Sequence, residues 1–178
     1  MGRYTYFTAI DDSYGHAPDS GWNYVYGTWE ALDKFEEYYG VEMIDDWWFG
    51  CWDLIHPFEV GSSSEDALDD LILEVYWSYP WMRDSDNEIV LGWADNLDKN
   101  GIAEGDGFFS LGSETPTHPF DWPEDTVSQH EISHNFNAPD HGYYCQYCVM
   151  CYYWAWNGVN HWCPECQDII DANVNYQG

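Results

Sequence analysis

The sequence has very little positive charge. Of its 178 residues only 4 are Lys or Arg, against 33 Asp and Glu, which gives a formal net charge of -29 at pH 7. Proteins that bind nucleic acids or anionic membrane surfaces need Lys and Arg to pair with phosphate groups. The composition therefore excludes nucleic acids and anionic membranes as partners.

The excess of negative charge also predicts that folding depends on the salt concentration. A charge of this size repels itself in dilute buffer, whereas at molar salt the Debye length falls to about 3 Å and the repulsion is largely screened. The near absence of Lys favours a protein adapted to high salt over an ordinary acidic protein. We therefore expect weak folding below molar salt.

Long apolar runs are missing as well. No stretch is suited to span a membrane, and residues 1–6 lack the apolar segment of a signal peptide. We expect a secreted protein in a mature form whose leader was removed; an intracellular protein is the alternative. The length suits one domain over residues 1–178, and we expect a monomer. With 12 Trp, 15 Tyr and 8 Phe, aromatic rings must supply much of the core.

The most informative motif is an H-E-x-x-H pattern, His130-Glu131-Ile132-Ser133-His134. On a helix this spacing places both imidazoles on one face, one turn apart, so that both can reach one metal ion. Glu131 can then take a proton from a metal-bound water. The alternative is a solvated helix with two surface histidines.

The residues after this motif supply a third potential ligand. Asn137 stands three residues after His134, and Asn is the residue other than Gly that best tolerates the left-handed conformation that ends a helix. The chain can therefore turn back and bring Asp140 to the metal. His141 is the competing third ligand, or a group that orients Asp140 or a ligand ring.

The whole pattern resembles the zinc signature of the metzincin metalloproteases: His130-Glu131-x-x-His134-x-x-Asn137-x-x-Asp140. An Asp as third ligand is most similar to snapalysin-like members, and Cys148-Val149-Met150 resembles the Met-turn, with Met150 beneath the zinc. The cysteine spacing is similar to the cysteine cluster of archaemetzincins. Asn137 replaces the usual Gly, and Asp140 stands where most members have His.

This resemblance implies a zinc-dependent endopeptidase with one catalytic Zn²⁺ held by His130, His134 and Asp140. A zinc-bound water activated by Glu131 would hydrolyse the bonds of a peptide or protein substrate. Tyr152, in a Met-x-Tyr arrangement, is a candidate to reach the metal or the oxyanion, or else a packed ring. The alternatives are a non-catalytic zinc-binding structural or binding module on the same fold, and a metal hydrolase that acts on a small amide.

Five of the six cysteines lie close together near the C-terminus, between positions 145 and 166. The two C-x-x-C pairs, Cys145/Cys148 and Cys163/Cys166, are typical of a second, structural Zn²⁺ held by four thiolates. An even number of cysteines in an exported chain favours disulfides instead. Under either interpretation the segment fixes Met150 and the wall of the cleft below the catalytic metal.

The order of elements predicts an α+β fold, a twisted mixed β-sheet packed with helices. We expect strands over 3–10, 41–52, 88–93 and 107–111, helices over 28–39 and about 65–79, and an active-site helix from Pro123. The resemblance implies an upper subdomain (1–140), a small Cys-rich lower subdomain (141–178) with the Met-turn, and strand 107–111 as the edge that pairs with substrate. Polar residues over 96–106 have a weak calcium-loop spacing; a polar turn is the alternative.

Overall fold

The computed structural model describes residues 3–11, 20–52, 63–83, 87–105, 107–113, 119–143 and 145–174. Its strands are β1 (Arg3–Asp11), β2 (Glu42–Trp52), β3 (Glu88–Ala94), β4 (Gly101–Ala103) and β5 (Phe109–Ser113). Its helices are α1 (Ser20–Tyr39), α2 (Ser64–Ser78), α3 (Glu124–Asn135), α4 (Tyr152–Trp156) and α5 (Pro164–Val174), with a short 3-10 turn at Pro80–Arg83. In these residues no helix is both long and apolar enough to cross a membrane.

The five strands form one mixed sheet in the order β2-β1-β3-β5-β4. The first four strands in this order run parallel to each other, and β4 pairs with β5 in the antiparallel direction. The central strand β3 is buried from Ile89 to Ala94, as its continuous apolar run predicts. The predicted fold class, a mixed sheet packed with helices, is confirmed.

The two faces of the central strand β3 contribute to two different hydrophobic clusters, because successive side chains of a strand point to opposite faces of the sheet. Ile89, Leu91 and Trp93 of β3 belong to a cluster that also contains residues of α1, α3 and α5. Val90 and Ala94 belong to a second cluster that includes the buried apolar residues of α2. The first cluster also contains Cys148, Val149 and Met150, so the C-terminal region packs on the same core as the sheet. The division into two subdomains at Asp140 stays a prediction.

The edge strand differs from the prediction. Residues 107–111 are the predicted fourth strand and substrate-binding edge, but the strand found there, β5 (Phe109–Ser113), lies between β3 and β4, and all its residues are buried. The edge on this side of the sheet is β4, which is only three residues long. So short a strand shows no alternation of apolar and polar residues, and for this reason the pattern did not reveal it.

Local signals explain where α2 begins and where α1 ends. Ser63 caps α2 by accepting a hydrogen bond from the Asp66 amide at 3.2 Å, and Gly40, with a φ of 63°, follows the last residue of α1. The Asp98 carboxylate accepts hydrogen bonds from the amide and hydroxyl of Ser64 at 2.9 and 2.6 Å. These two bonds tie the polar turn before β4 to the start of α2.

Candidate active-site cleft and metal centre

The helix α3 carries the H-E-x-x-H motif into the interior of the protein. Its residues from Thr126 to Ser133 are all buried, although most of them are polar. These polar groups have partners: the Ser133 hydroxyl donates to the Gln129 carbonyl at 2.6 Å and accepts from the Trp162 indole at 2.8 Å. Asn135 at the helix end is held by Ser110 and by the Phe109 carbonyl. A network of this kind satisfies the polar groups of a buried helix and fixes its orientation.

The two histidines of α3 present their Nε2 atoms to the same point, 3.2 Å apart. The Nδ1 atom of His130 lies 2.9 Å from the Val149 carbonyl, and that of His134 lies 2.8 Å from the Ala138 carbonyl. A carbonyl oxygen only accepts, so each Nδ1 carries the hydrogen and donates it. Both Nε2 atoms are then left with a lone pair for a metal, the arrangement found in metal-binding histidines.

The chain turns back after α3 as the sequence predicts. Asn137 has a φ of 66°, in the left-handed region, and the Ala138 amide donates to the Ser133 carbonyl at 3.0 Å. The turn brings the Asp140 Oδ1 atom to 3.1 Å from the His130 Nε2 atom and 3.6 Å from the His134 Nε2 atom. The structure thus brings together His130, His134 and Asp140, which we name the metal trio.

The metal trio has the dimensions of a zinc site. For bonds of about 2.0–2.1 Å in tetrahedral geometry, donor atoms lie about 3.3 Å apart. The observed separations of 3.1, 3.2 and 3.6 Å bracket that value. Two imidazole lone pairs and a carboxylate oxygen at these distances repel each other unless a cation or shared protons lie between them. Three protein ligands also leave a coordination position for water or substrate, as in catalytic zinc sites.

Glu131 lies beside the metal trio in a pocket that excludes solvent. Its side chain lines the cleft, yet the residue is only 4% exposed. Burial raises the pKa of the Glu131 carboxyl, and the neighbouring His130 and His134 oppose this rise. Gly101 of β4 lies against it: a Cβ atom at Gly101 would be 2.6 Å from the Glu131 Oε1 atom. The absence of a side chain at Gly101 therefore makes the room that the carboxylate occupies.

The segment predicted to form the Met-turn, Cys148-Val149-Met150, lies next to the metal trio, because its Val149 carbonyl accepts from His130. Met150 is fully buried, and its carbonyl accepts a hydrogen bond from the His141 amide at 2.9 Å. The hydroxyl of Tyr152, two residues later, donates to the Asp140 Oδ2 atom at 3.0 Å. Burial and the negative charge of Asp140 raise the pKa of Tyr152 to about 12, so its hydroxyl keeps its proton. Tyr152 thus contacts the third member of the trio in this structure.

The cysteines are arranged differently from the predicted group of Cys145, Cys148, Cys163 and Cys166. Cys145 forms a disulfide with Cys151 instead, with the two Cα atoms 6.0 Å apart. Its place beside the other three thiols is taken by His141. We name His141, Cys148, Cys163 and Cys166 the His/Cys cluster. Sequence spacing favoured Cys145 because of the C-x-x-C pattern, but the chain direction after Asp140 decides which side chain faces the other thiols.

The His/Cys cluster also fits a tetrahedral metal. The His141 Nε2 atom lies 3.0 Å from the Cys166 sulfur and 3.3 Å from the Cys163 sulfur, and the sulfurs of Cys148 and Cys166 are 3.9 Å apart. Zinc–sulfur bonds of about 2.3 Å in tetrahedral geometry require sulfurs about 3.8 Å apart. The hydrogen bond between the two thiols lowers the pKa of Cys148, which also accepts from the amides of Cys163 and Met150, and raises the pKa of Cys166, so Cys148 is the member of this pair that loses its proton first. Thiolate is the form that binds zinc.

A cleft of about 650 Å³ opens above the metal trio. Edge strand β4 lies along one side of it, and aromatic rings surround much of the rest: Phe120, Trp122, Tyr143, Tyr152 and Trp156. The Trp122 ring packs edge-on against the His130 imidazole, with centroids 5.1 Å apart. No sequence pattern predicts this lining, because Phe120 and Trp122 lie in a loop before α3 and belong to neither a periodic segment nor the H-E-x-x-H motif.

The sequence matches no protein-family model and no curated protein sequence. Solved structures are similar over nearly the whole chain. An archaemetzincin from Methanopyrus kandleri aligns with a TM-score of 0.57 at 15% identity, and the alignment covers 97% of this chain and 96% of that one. A zinc-dependent peptidase from Methanocorpusculum labreanum aligns with a TM-score of 0.56 at 13% identity, over 92% of this chain and 98% of that one.

Metalloproteinase-II from Bacteroides fragilis aligns with a TM-score of 0.66 at 10% identity. That alignment covers 97% of this chain but only 53% of the larger protein. At such identities the likeness concerns the fold and not the chemistry. The chain has a metzincin-like fold, with the His-bearing helix and a Cys-rich C-terminal region, and the resemblance inferred from the sequence is confirmed at this level.

Proposed function

We propose that this chain is a zinc-dependent endopeptidase adapted to high salt. The observation that carries the proposal is the metal trio, whose donor atoms lie 3.1–3.6 Å apart beside the buried Glu131 carboxyl. Metal binding alone does not require Glu131, and burying a carboxyl group without a role costs free energy. Its presence in the cleft therefore favours catalysis over a non-catalytic zinc-binding module, which is the alternative.

The residues of the cleft have distinct roles in the proposed reaction. When bound by the metal trio, zinc would supply Lewis acidity to the scissile carbonyl and to the attacking water. Glu131 accepts the proton of that water and delivers it to the leaving amine. Because burial raises its pKa, the carboxyl is better matched to returning the proton than an exposed Glu would be. The Tyr152 hydroxyl, which stays protonated, orients Asp140.

The proposed substrate is an extended peptide that adds to the sheet beside β4. This strand is at the edge of the sheet and lines the cleft next to Glu131. Main-chain hydrogen bonds to such an edge align a peptide without fixing its sequence. The pairing with substrate that the sequence predicts for residues 107–111 is therefore proposed for Gly101–Ala103 instead.

The proposal also includes a second, structural metal ion, secretion, a monomeric state and a requirement for salt. A structural Zn²⁺ in the His/Cys cluster is supported by the donor distances there. Secretion, a monomeric state and folding that depends on molar salt are supported by the composition alone.

The proposal is tested by casein hydrolysis in molar salt with the wild type and Glu131→Gln. We expect activity in the wild type and a loss of at least about a hundredfold in the variant, the scale of a lost general base. Zinc content, measured by elemental analysis, should not change. Glu30→Gln, which removes the same charge from an exposed position of α1, is the matched control. Equal activity of wild type and Glu131→Gln contradicts the catalytic assignment, and zinc binding without any hydrolysis supports the binding module.

A further inference from the structure

One buried amide group connects the edge strand to the aromatic side of the cleft. Asn100 immediately precedes β4 and is 6% exposed. Its Nδ2 group donates to the Phe120 carbonyl at 2.9 Å, and its Oδ1 atom accepts from the Trp122 amide at 3.0 Å. Its backbone carbonyl accepts from the Ser113 amide at 2.8 Å, at the end of β5. Asn100 is thus fixed to the sheet on one side and holds a loop on the other.

The loop that Asn100 holds carries two aromatic rings into the cleft. We name Phe120 and Trp122 the aromatic wall. Phe120 contacts Trp156 of α4, with ring centroids 4.7 Å apart, and Trp122 contacts both His130 and Tyr152, at 5.1 and 5.9 Å. The wall therefore contacts both His130 of the metal trio and α4, and it lines the cleft beside the trio.

We infer that Asn100 is a positioning residue: its two bonds to the backbone of the aromatic wall hold the rings in place, so that the wall selects peptides with a bulky apolar side chain next to the scissile bond. This inference rests on the proposed function, because it concerns the substrate of the same cleft. A bulky side chain gains free energy only if the rings it touches are already in position, since ordering a loose wall on binding would offset the gain. A small side chain does not reach the wall, so its binding free energy does not depend on whether the two rings are held in place.

Asn is the side chain suited to this position because it offers one donor and one acceptor on a planar group. Those two functions match the carbonyl of residue 120 and the amide of residue 122. In Asn100→Asp the acceptor for Trp122 is retained, but a carboxylate oxygen faces the Phe120 carbonyl and repels it. In Asn100→Ala both bonds are lost. Asn173→Ala is the matched control, because it removes a 2.8 Å amide-to-carbonyl bond on α5, far from the cleft.

The test measures binding and turnover separately. Fluorescein-labelled peptide hydroxamates that differ only in a Phe or an Ala at the position next to the metal-binding group are titrated in molar salt. The corresponding peptides are assayed for hydrolysis. We expect the wild type to prefer the Phe compound, and Asn100→Ala to reduce this preference roughly tenfold, within the range by which apolar pockets discriminate. KM for the Phe peptide should rise while kcat changes little, and zinc content should be unchanged. Asn100→Asp should lose part of the preference.

Several results overturn the inference. It is wrong if the wild type binds both hydroxamates equally or binds neither, or if Asn100→Ala and Asn100→Asp weaken both compounds to the same extent. It is also wrong if Asn173→Ala changes the preference as much as Asn100→Ala. If the peptides are not hydrolysed but the preference in hydroxamate binding depends on Asn100, the proposed function fails and the role of Asn100 stands. If Asn100→Ala does not fold, the near-isosteric Asn100→Asp alone decides.

Discussion

Asp140 and His141 are consecutive in the chain, yet their side chains belong to different groups of potential metal ligands. Asp140 completes the metal trio, and His141 completes the His/Cys cluster. Two further contacts join the groups: the Met150 amide donates to the Cys148 sulfur at 3.4 Å, and the neighbouring Val149 carbonyl accepts from the His130 Nδ1 atom at 2.9 Å. The two candidate metal sites therefore share one supporting segment.

The first prediction concerns this shared support. His141→Ala should empty the His/Cys cluster and also weaken zinc binding at the metal trio, because the segment that orients Asp140 and His130 loses its anchor. With one zinc ion in the metal trio and one in the His/Cys cluster, elemental analysis should give about two zinc ions per wild-type chain and fewer than one in the variant. His161→Ala, a histidine outside both groups, should keep both ions. Retention of one zinc ion together with normal activity in His141→Ala would show that the centres are independent.

The second prediction concerns the space that Gly101 leaves for Glu131. In Gly101→Ala the new Cβ atom would lie 2.6 Å from the Glu131 Oε1 atom, so the carboxylate must move. A displacement of about 1 Å at a catalytic group costs on the order of a hundredfold in kcat. Zinc content should not change, because no ligand is touched. Gly105→Ala is the control: Gly105 lines the same cleft, but a Cβ atom there meets nothing within 4 Å. Similar kcat values for the two variants would contradict the prediction.

The third prediction concerns the turn that returns Asp140 to the histidines. Asn137 has a φ of 66°, where a side chain with a Cβ atom is strained and Gly is not. Asn137→Gly should therefore leave the thermal midpoint of unfolding and the zinc affinity close to those of the wild type. Asn137→Ala should cost roughly 1 kcal/mol of folding free energy and weaken zinc binding. The measurement is thermal unfolding by circular dichroism with a parallel zinc titration; equal behaviour of Gly and Ala would show that the turn changes conformation.

The fourth prediction separates the disulfide from the thiols. Cys145 and Cys151 are bonded to each other, whereas Cys148, Cys163 and Cys166 are free and lie in the His/Cys cluster. In protein unfolded with a chelator, the number of reactive thiols should rise by two on reduction. The variant Cys145→Ser/Cys151→Ser should show no rise. A rise of four or more would mean that the cysteines of the cluster are oxidised too and do not hold zinc.

The fifth prediction concerns salt. With a formal charge of -29, the native fold should be unstable in dilute buffer and recover as NaCl approaches molar concentration. Far-ultraviolet circular dichroism across a salt series measures the recovery. Sucrose is a useful control because it favours compact states without screening charge. A full native spectrum in dilute buffer, or equal recovery in sucrose, would remove the argument for adaptation to brine.

The parts of this molecule that the sequence predicts are those encoded by local spacing. His130 and His134 share a face because a helix repeats every 3.6 residues, and Asn137 marks the left-handed turn that returns Asp140. The helix α2 and the strand β3 also follow from their apolar patterns.

Features that depend on distant parts of the chain were not predictable. The exchange of Cys145 for His141 in the His/Cys cluster depends on how the chain leaves Asp140, and the C-x-x-C spacing carries no information on that path. The short β4 is defined by its pairing with β5 and not by its composition. The role of Asn100 appears only when the loop with Phe120 and Trp122 folds back on it.

The burial of α3 limits how this protein can be engineered. A polar helix in the interior is usually an attractive target for stabilisation by apolar replacements. Here, however, Ser133 joins α3 to Trp162, and Asn135 joins it to β5. Replacing either side chain with an apolar one would leave its buried partner without that hydrogen bond, which costs free energy. Thermostable variants are therefore better sought on the solvent-facing sides of α1 and α2, so that the helix bearing the histidines keeps its native contacts.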